Sequence, residues 1–142
     1  MSQEQNISDT PTISIWDPNV AAILCYFLTP AFGPYIQMLN WQSLQQPEKA
    51  AASKTWFLLI LAFPAFVLLS GIFWPNVKAI GALPVQIWLG IWLSWYFTSG
   101  REQVRYVKEQ LGTNYVKKSW NKPLRVAIAI YIALIVCIWS LK

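Results

Sequence analysis

The sequence predicts an all-α membrane protein, a polytopic helical bundle of three to four transmembrane segments. Three observations carry this expectation. Of 142 residues, 56% are hydrophobic and 12% charged, where a soluble domain averages about 25% charged. Apolar residues gather in four blocks, 20–39, 55–74, 80–99 and 124–141. As a helix, each block is long enough to cross about 30 Å of hydrocarbon. Nine tryptophans are present, and Trp16, Trp41, Trp56, Trp74, Trp120 and Trp139 fall near block ends, where an aromatic belt meets a bilayer interface. The blocks do not alternate polar and apolar residues, which argues against a β-barrel.

Residues 1–15 contain Glu4 and Asp9 but no Lys or Arg. They read as a disordered polar tail, without the basic start and apolar core of a signal peptide. The remaining residues, 16–142, read as a single helical membrane domain. Asp17-Pro18 predicts an N-cap followed by proline in the first helical turn. The first apolar block is broken by Pro30, Gly33 and Pro34, predicting either a kinked span or the tip of a re-entrant hairpin. Gln46-Pro47-Glu48 predicts the next helix start, with an acid beside the positive dipole end. Pro64, mid-block, predicts a kink.

In the third block, Trp88, Trp92 and Trp95 are spaced i, i+4, i+7 and share one helix face. Gly90 and Ser94 lie opposite, a small-xxx-small pair that lets helices approach closely. The expectation is that Gly90 and Ser94 pack inside, leaving the tryptophans as a candidate partner surface. Ala129 and Ala133 form a second close-packing pair in the last block. Between these blocks lies a basic loop, 100–123. Its first part places Val104, Val107 and Leu111 on one side of a short helix, with Glu102–Arg105 and Arg105–Glu109 pairs predicted along it and Gly112 at its end. Its second part is basic and aromatic, and Lys117, Lys118, Lys122 and Arg125 are candidate contacts for anionic lipid headgroups. Asn121 and Pro123 open the last helix.

Lys and Arg placement predicts the orientation. Seven lie between Gly100 and Arg125 and two in 40–54, against Lys78 and Lys142 on the other side. Loops 40–54 and 100–125 are therefore expected in the cytoplasm and the C-terminus outside, with the side of the N-terminus left open.

The chemistry is bounded by what is missing. There is no histidine, which removes His-based triads and the usual catalytic zinc sites. Cys25 and Cys137 lie far apart in apolar stretches and read as free buried thiols. The six acidic residues form no metal-binding cluster. No enzymatic activity, cofactor or metal is expected. The centres of the blocks hold no charge, which argues against a proton-coupled transporter. No nucleic-acid module accompanies the basic loop, so nucleic acid is not an expected partner.

Phe32-Gly33-Pro34, followed by Asn40-Trp41 and then Leu44-Gln45-Gln46-Pro47-Glu48-Lys49-Ala50, resembles a pattern in small uncharacterised bacterial inner-membrane proteins. Those have a Pro/Gly-broken first hydrophobic segment and an N-W-x-x-L-G-x-P-E-x-A connection. This chain departs from the pattern at Gln45, where glycine is usual. The resemblance implies a bacterial cytoplasmic-membrane location and no activity. The expected function is that of an accessory or interaction protein, such as an immunity protein against a membrane-targeting toxin. An oligomeric small channel or transporter is the alternative. Expected partners are membrane lipids together with a membrane protein or further copies of the chain.

Overall fold

The computed structural model describes residues 13–73 and 85–140, without the side chains of 64–73, 85, 86, 88, 131, 133–135 and 137–140. Strand β1 (Ser14–Ile15) leads into α1 (Pro18–Phe27), α2 (Phe32–Ser43) and α3 (Pro47–Phe73). Then α4 (Val85–Trp95), a π-helical segment π1 (Tyr96–Gly100), α5 (Arg101–Tyr106) and a second π-helical segment π2 (Val107–Leu111) follow one another without a break. Strand β2 (Val116–Lys117) and α6 (Asn121–Ser140) complete the order.

Among the described residues, no helix is long and apolar enough to cross a membrane. That finding overturns the predicted transmembrane bundle. The multi-pass inner-membrane location and the sidedness of loops 40–54 and 100–125 are overturned with it. The first block shows the physical reason best. Its residues are divided between α1, 10 residues long, and α2, 12 residues long. At 1.5 Å per residue these reach about 15 and 18 Å, roughly half of a hydrocarbon core. The break falls at Leu28 to Ala31, beside the predicted Pro30. Pro34 sits in the first turn of α2, where its missing N–H is not needed. α1 and α2 then pack against each other. α4 has 11 residues before the π1 segment and Arg101. α3 and α6 both open on polar turns containing Glu48, Lys49 and Lys54 or Lys122 and Arg125.

Local signals determine most helix ends. The Asp17 carboxylate accepts from the Asn19 amide at 3.0 Å and Pro18 opens α1. Pro47 opens α3, and its first turn closes with the Ala50 amide donating to the Gln46 carbonyl at 3.0 Å. The helical assignment of α3 runs through residue 64, and the Pro64 side chain lies outside the described residues. Gly112, at φ 55°, ends π2.

The end of α2 is a Schellman turn. The Gln46 amide donates to the Trp41 carbonyl at 2.9 Å and the Gln45 amide to the Gln42 carbonyl at 3.1 Å. Gln45 occupies the left-handed position, at φ 57°, where glycine carries no Cβ penalty. Gln45→Gly is therefore expected to stabilise the fold by about 1 kcal/mol, read as a higher urea midpoint at unchanged slope.

Among the described residues, three buried clusters run through the molecule. Ile15, Trp41, Leu44, Ala50 and Val107 form one, with Tyr106 and Tyr115 against it. Ala22, Cys25, Ala31, Ile60 and Trp95 form the second. Ala21, Phe32 and Ile36 form the third, covered by Trp16, Trp120 and Ala127. The first cluster includes residues expected in the polar tail. β1 pairs in parallel with β2, Ser14 opposite Val116 and Ile15 opposite Lys117, and Ile15 is 0% exposed. Residues 1–12 lie outside the described residues.

Candidate interaction surface around a buried amide ladder

Three primary amides meet where α2 packs on the α4–α5 run. Gln37 and Asn40 are three positions apart on α2 and so share a face. Ser99 lies in π1 and Gln103 one turn later in α5. The Gln37 Nε2 donates to the Ser99 carbonyl at 2.7 Å, and its Oε1 accepts from Trp95 Nε1 at 2.9 Å and from Ser99 Oγ at 3.3 Å. The Gln103 Nε2 donates to the Gln37 carbonyl at 3.0 Å. Asn40 Nδ2 donates to Gln103 Oε1 at 3.1 Å and to the Trp16 carbonyl at 2.8 Å. The Trp16 amide returns a bond to Asn40 Oδ1 at 2.9 Å. Among the described residues no buried side-chain nitrogen or oxygen lacks a partner. The ladder contains only amides, a hydroxyl and an indole, so it has no group to move a proton at neutral pH. Its work is to lock α2, β1 and π1 together. The sequence signal for the ladder is the pair of i, i+3 amides at 37 and 40 with the polar pair at 99 and 103, none of which was among the predicted site residues.

The tryptophan face turns inward. Trp95 is 2% exposed and anchored on Gln37. Trp92 is half-buried; its Nε1 donates to the Ala22 carbonyl at 3.1 Å and its ring stacks on Tyr96 at 5.4 Å. The Trp88 side chain lies outside the described residues. The opposite face turns outward: Gly90 and Ser94 are exposed, and a Cβ at Gly90 would meet nothing within 4 Å. Close approach occurs instead at Gly33, where an added Cβ would stand 2.8 Å from Cys25 Sγ and collide with the Trp95 ring. Ala129 is exposed and the Ala133 side chain lies outside the described residues.

The basic residues separate into two groups. Lys117 pairs with Asp17 at 3.0 Å, and the Lys118 ammonium lies 4.5 Å from the Trp16 ring centroid and donates to Ser43 Oγ at 2.9 Å. Both lysines thus hold β2 to the start of α1 and the end of α2. Burial pushes the Asp17 carboxyl up, but the Lys117 ammonium and the Asn19 and Val20 amides outweigh it and hold it below its ordinary value. Lys122 and Arg125 are exposed on the first turns of α6. In place of the predicted pairs along α5, Glu102 reaches Lys49 on α3 at 2.8 Å. That ammonium also sits over the Trp41 and Tyr106 rings, at 4.7 and 5.0 Å.

Cys25 is buried beneath the α1–α2 break, its Sγ donating to the Pro30 carbonyl at 3.1 Å. Burial pushes its thiol up to about 12. The thiol holds its proton more tightly in the fold than in the unfolded chain. Its contribution to stability is therefore complete below 9.0 and is lost as pH rises towards 12. In a Cys137→Ser background, native protein is expected to resist thiol-directed reagents at pH 8 and to react on unfolding. Fast labelling without denaturant would contradict this environment.

The outer surface is divided in two. Apolar side chains are exposed on α1 (Ile23, Phe27), α3 (Leu58, Leu59, Leu61), α4 (Ile87, Leu89, Leu93) and α6 (Val126, Ile128, Ile130, Ile132). A shallow groove of about 210 Å³ runs between α3 and α4, lined by Trp56, Leu59, Ile60, Phe63, Ile87 and Ile91. The described charged residues lie instead at Asp17, in 48–54 and in 101–125. A second hollow, of about 390 Å³, opens at this charged end beside Pro18, Lys108 and Tyr115. Comparison with protein-family models, with curated proteins and with solved structures found no match.

Proposed function

We propose that this chain is a non-catalytic accessory protein that works by contact, with its apolar half docked against a partner surface. The observation that supports this reading is the segregated exterior. Phe27 on α1 is 74% exposed, and Leu59 on α3 and Val126 and Ile132 on α6 each exceed half exposure. Single exposed apolar residues are ordinary, but a contiguous apolar region marks an interaction surface. The amide ladder supports the same reading, because it spends buried polar side chains on rigidity and, among the described residues, no acid–base pair is buried beside them.

Carbene footprinting tests the proposal. Leu58, Leu93 and Ile130 are expected to be shielded when the protein is labelled in its native cellular setting. They are expected to be labelled in the isolated chain. Equal labelling in both settings would show that nothing covers this half and would remove the proposal.

A further inference from the structure

We infer that the surface covering the apolar half is an anionic lipid surface; this rests on the contact reading above and names its partner. The argument begins with level. The Lys49–Glu102 pair sets α3 beside α5. Further along, Ile60 packs in one cluster with Trp95 and Ala22, the Trp92 indole bonds the Ala22 carbonyl, and Ala127 packs on the cluster containing Ala21. Helices α1, α3, α4 and α6 therefore share one level there. Close to it, α1, α3, the continuous α4–π1–α5 run and α6 each change character: Asn19 to Ile23, Lys54 to Leu58, Arg101 to Phe97, and Arg125 to Val126 are all exposed pairs. One plane divides the polar end from the apolar end on all four.

The occupant is decided by how the apolar residues are distributed. On α6, Val126, Ile128, Ile130 and Ile132 are all exposed. Steps of two residues turn the helix by about 200°, so these side chains lie around it rather than along one stripe. A folded protein partner covers a stripe, whereas a fluid apolar phase covers every side. The dividing plane supplies charge complementarity. Lys54, Arg101, Lys122 and Arg125 are exposed near it. Asp17 and Glu102, the nearby acids, are taken up by Lys117 and Lys49. Arg101 already lies with its guanidinium 5.4 Å from the Phe97 ring centroid, the posture of a side chain that keeps its stem on apolar surface and its charge in a polar layer. Seated this way, the apolar half lies in the acyl layer and the four cations at headgroup level. Adsorption through one half requires no helix to cross a bilayer.

Vesicle flotation with the full chain tests this. Vesicles of phosphatidylcholine alone are compared with vesicles that also contain phosphatidylglycerol. The protein is expected to float with the anionic vesicles far more than with the neutral ones, and to release as salt rises. Each neutralisation among Lys54→Gln, Arg101→Gln, Lys122→Gln and Arg125→Gln is expected to weaken partition about fivefold. Lys108→Gln, further from the plane, is expected to leave partition unchanged. Equal partition on both vesicles, or none on either, would overturn the inference. A discrete homo-oligomer that ignores vesicles would also overturn it in favour of a second copy, while leaving the contact reading standing. Only an unshielded apolar half in the footprinting experiment sinks both.

Discussion

Gln37→Leu is expected to lower the unfolding free energy by about 2–4 kcal/mol, measured by urea denaturation. The substitution keeps the volume nearly constant, so cavity formation is not the cause. It removes the partner of two buried donors, the Trp95 indole N–H and the Ser99 hydroxyl, and one of the bonds to the Ser99 carbonyl, which the Arg101 amide also reaches. Each orphaned group costs about 1–3 kcal/mol. The better transfer of leucine offsets about 2 kcal/mol of that sum, and the loss of partners still wins. Adding Trp95→Phe to Gln37→Leu removes one orphan and is expected to show a coupling energy above about 0.5 kcal/mol in a double-mutant cycle. Additive effects, or a Gln37→Leu protein within about 0.5 kcal/mol of the parent, would show that the ladder does not hold α2 in place.

Gly33→Ala is expected to cost about 1–3 kcal/mol through overpacking. The new Cβ would meet the Trp95 ring and stand 2.8 Å from Cys25 Sγ. Neither neighbour can give way easily. Trp95 is held by its 2.9 Å bond to Gln37, and Cys25 by its 3.1 Å bond to the Pro30 carbonyl. Gly90→Ala is the contrast. It places a Cβ in open space on an exposed helix face, and is expected to stabilise by about 0.5–1 kcal/mol. Reversal of this order in thermal or urea unfolding would mean that α2 does not approach α4 as described.

The outcome at individual residues shows which kinds of information a sequence carries. The helix starts at Pro18, Pro47 and Asn121 and the stop at Gly112 were all legible, because caps, prolines and positive φ act within about one turn. The break near Pro30 was legible too: of the kinked span and the hairpin it left open, the chain forms two short helices folded on each other, and only the membrane setting expected around them is overturned. Periodicity correctly grouped Trp92 with Trp95 and Gly90 with Ser94. It could not say which group turns inward, since both faces contain residues that can be buried. The partner of Trp95 is Gln37, 58 positions away. The capture of Ile15 by β2 pairs it with Lys117, more than a hundred positions away. The connection from Asn40 to Ala50 is accounted for by the same long-range packing. Asn40 clamps Trp16 and Gln103, while Trp41, Leu44 and Ala50 enter one cluster.

By itself, then, the sequence determined that the chain is helical, where α1, α3 and α6 begin and π2 ends, and that it has far more apolar side chains than a small interior can hide. Those properties follow from composition and from interactions between residues a few positions apart. The tertiary structure alone decided that the polar amides gather inside while leucines and isoleucines remain outside. The reason is geometric: burial belongs to surfaces that meet, and here Gln37, Asn40, Ser99 and Gln103 satisfy one another only when α2 lies against π1 and α5.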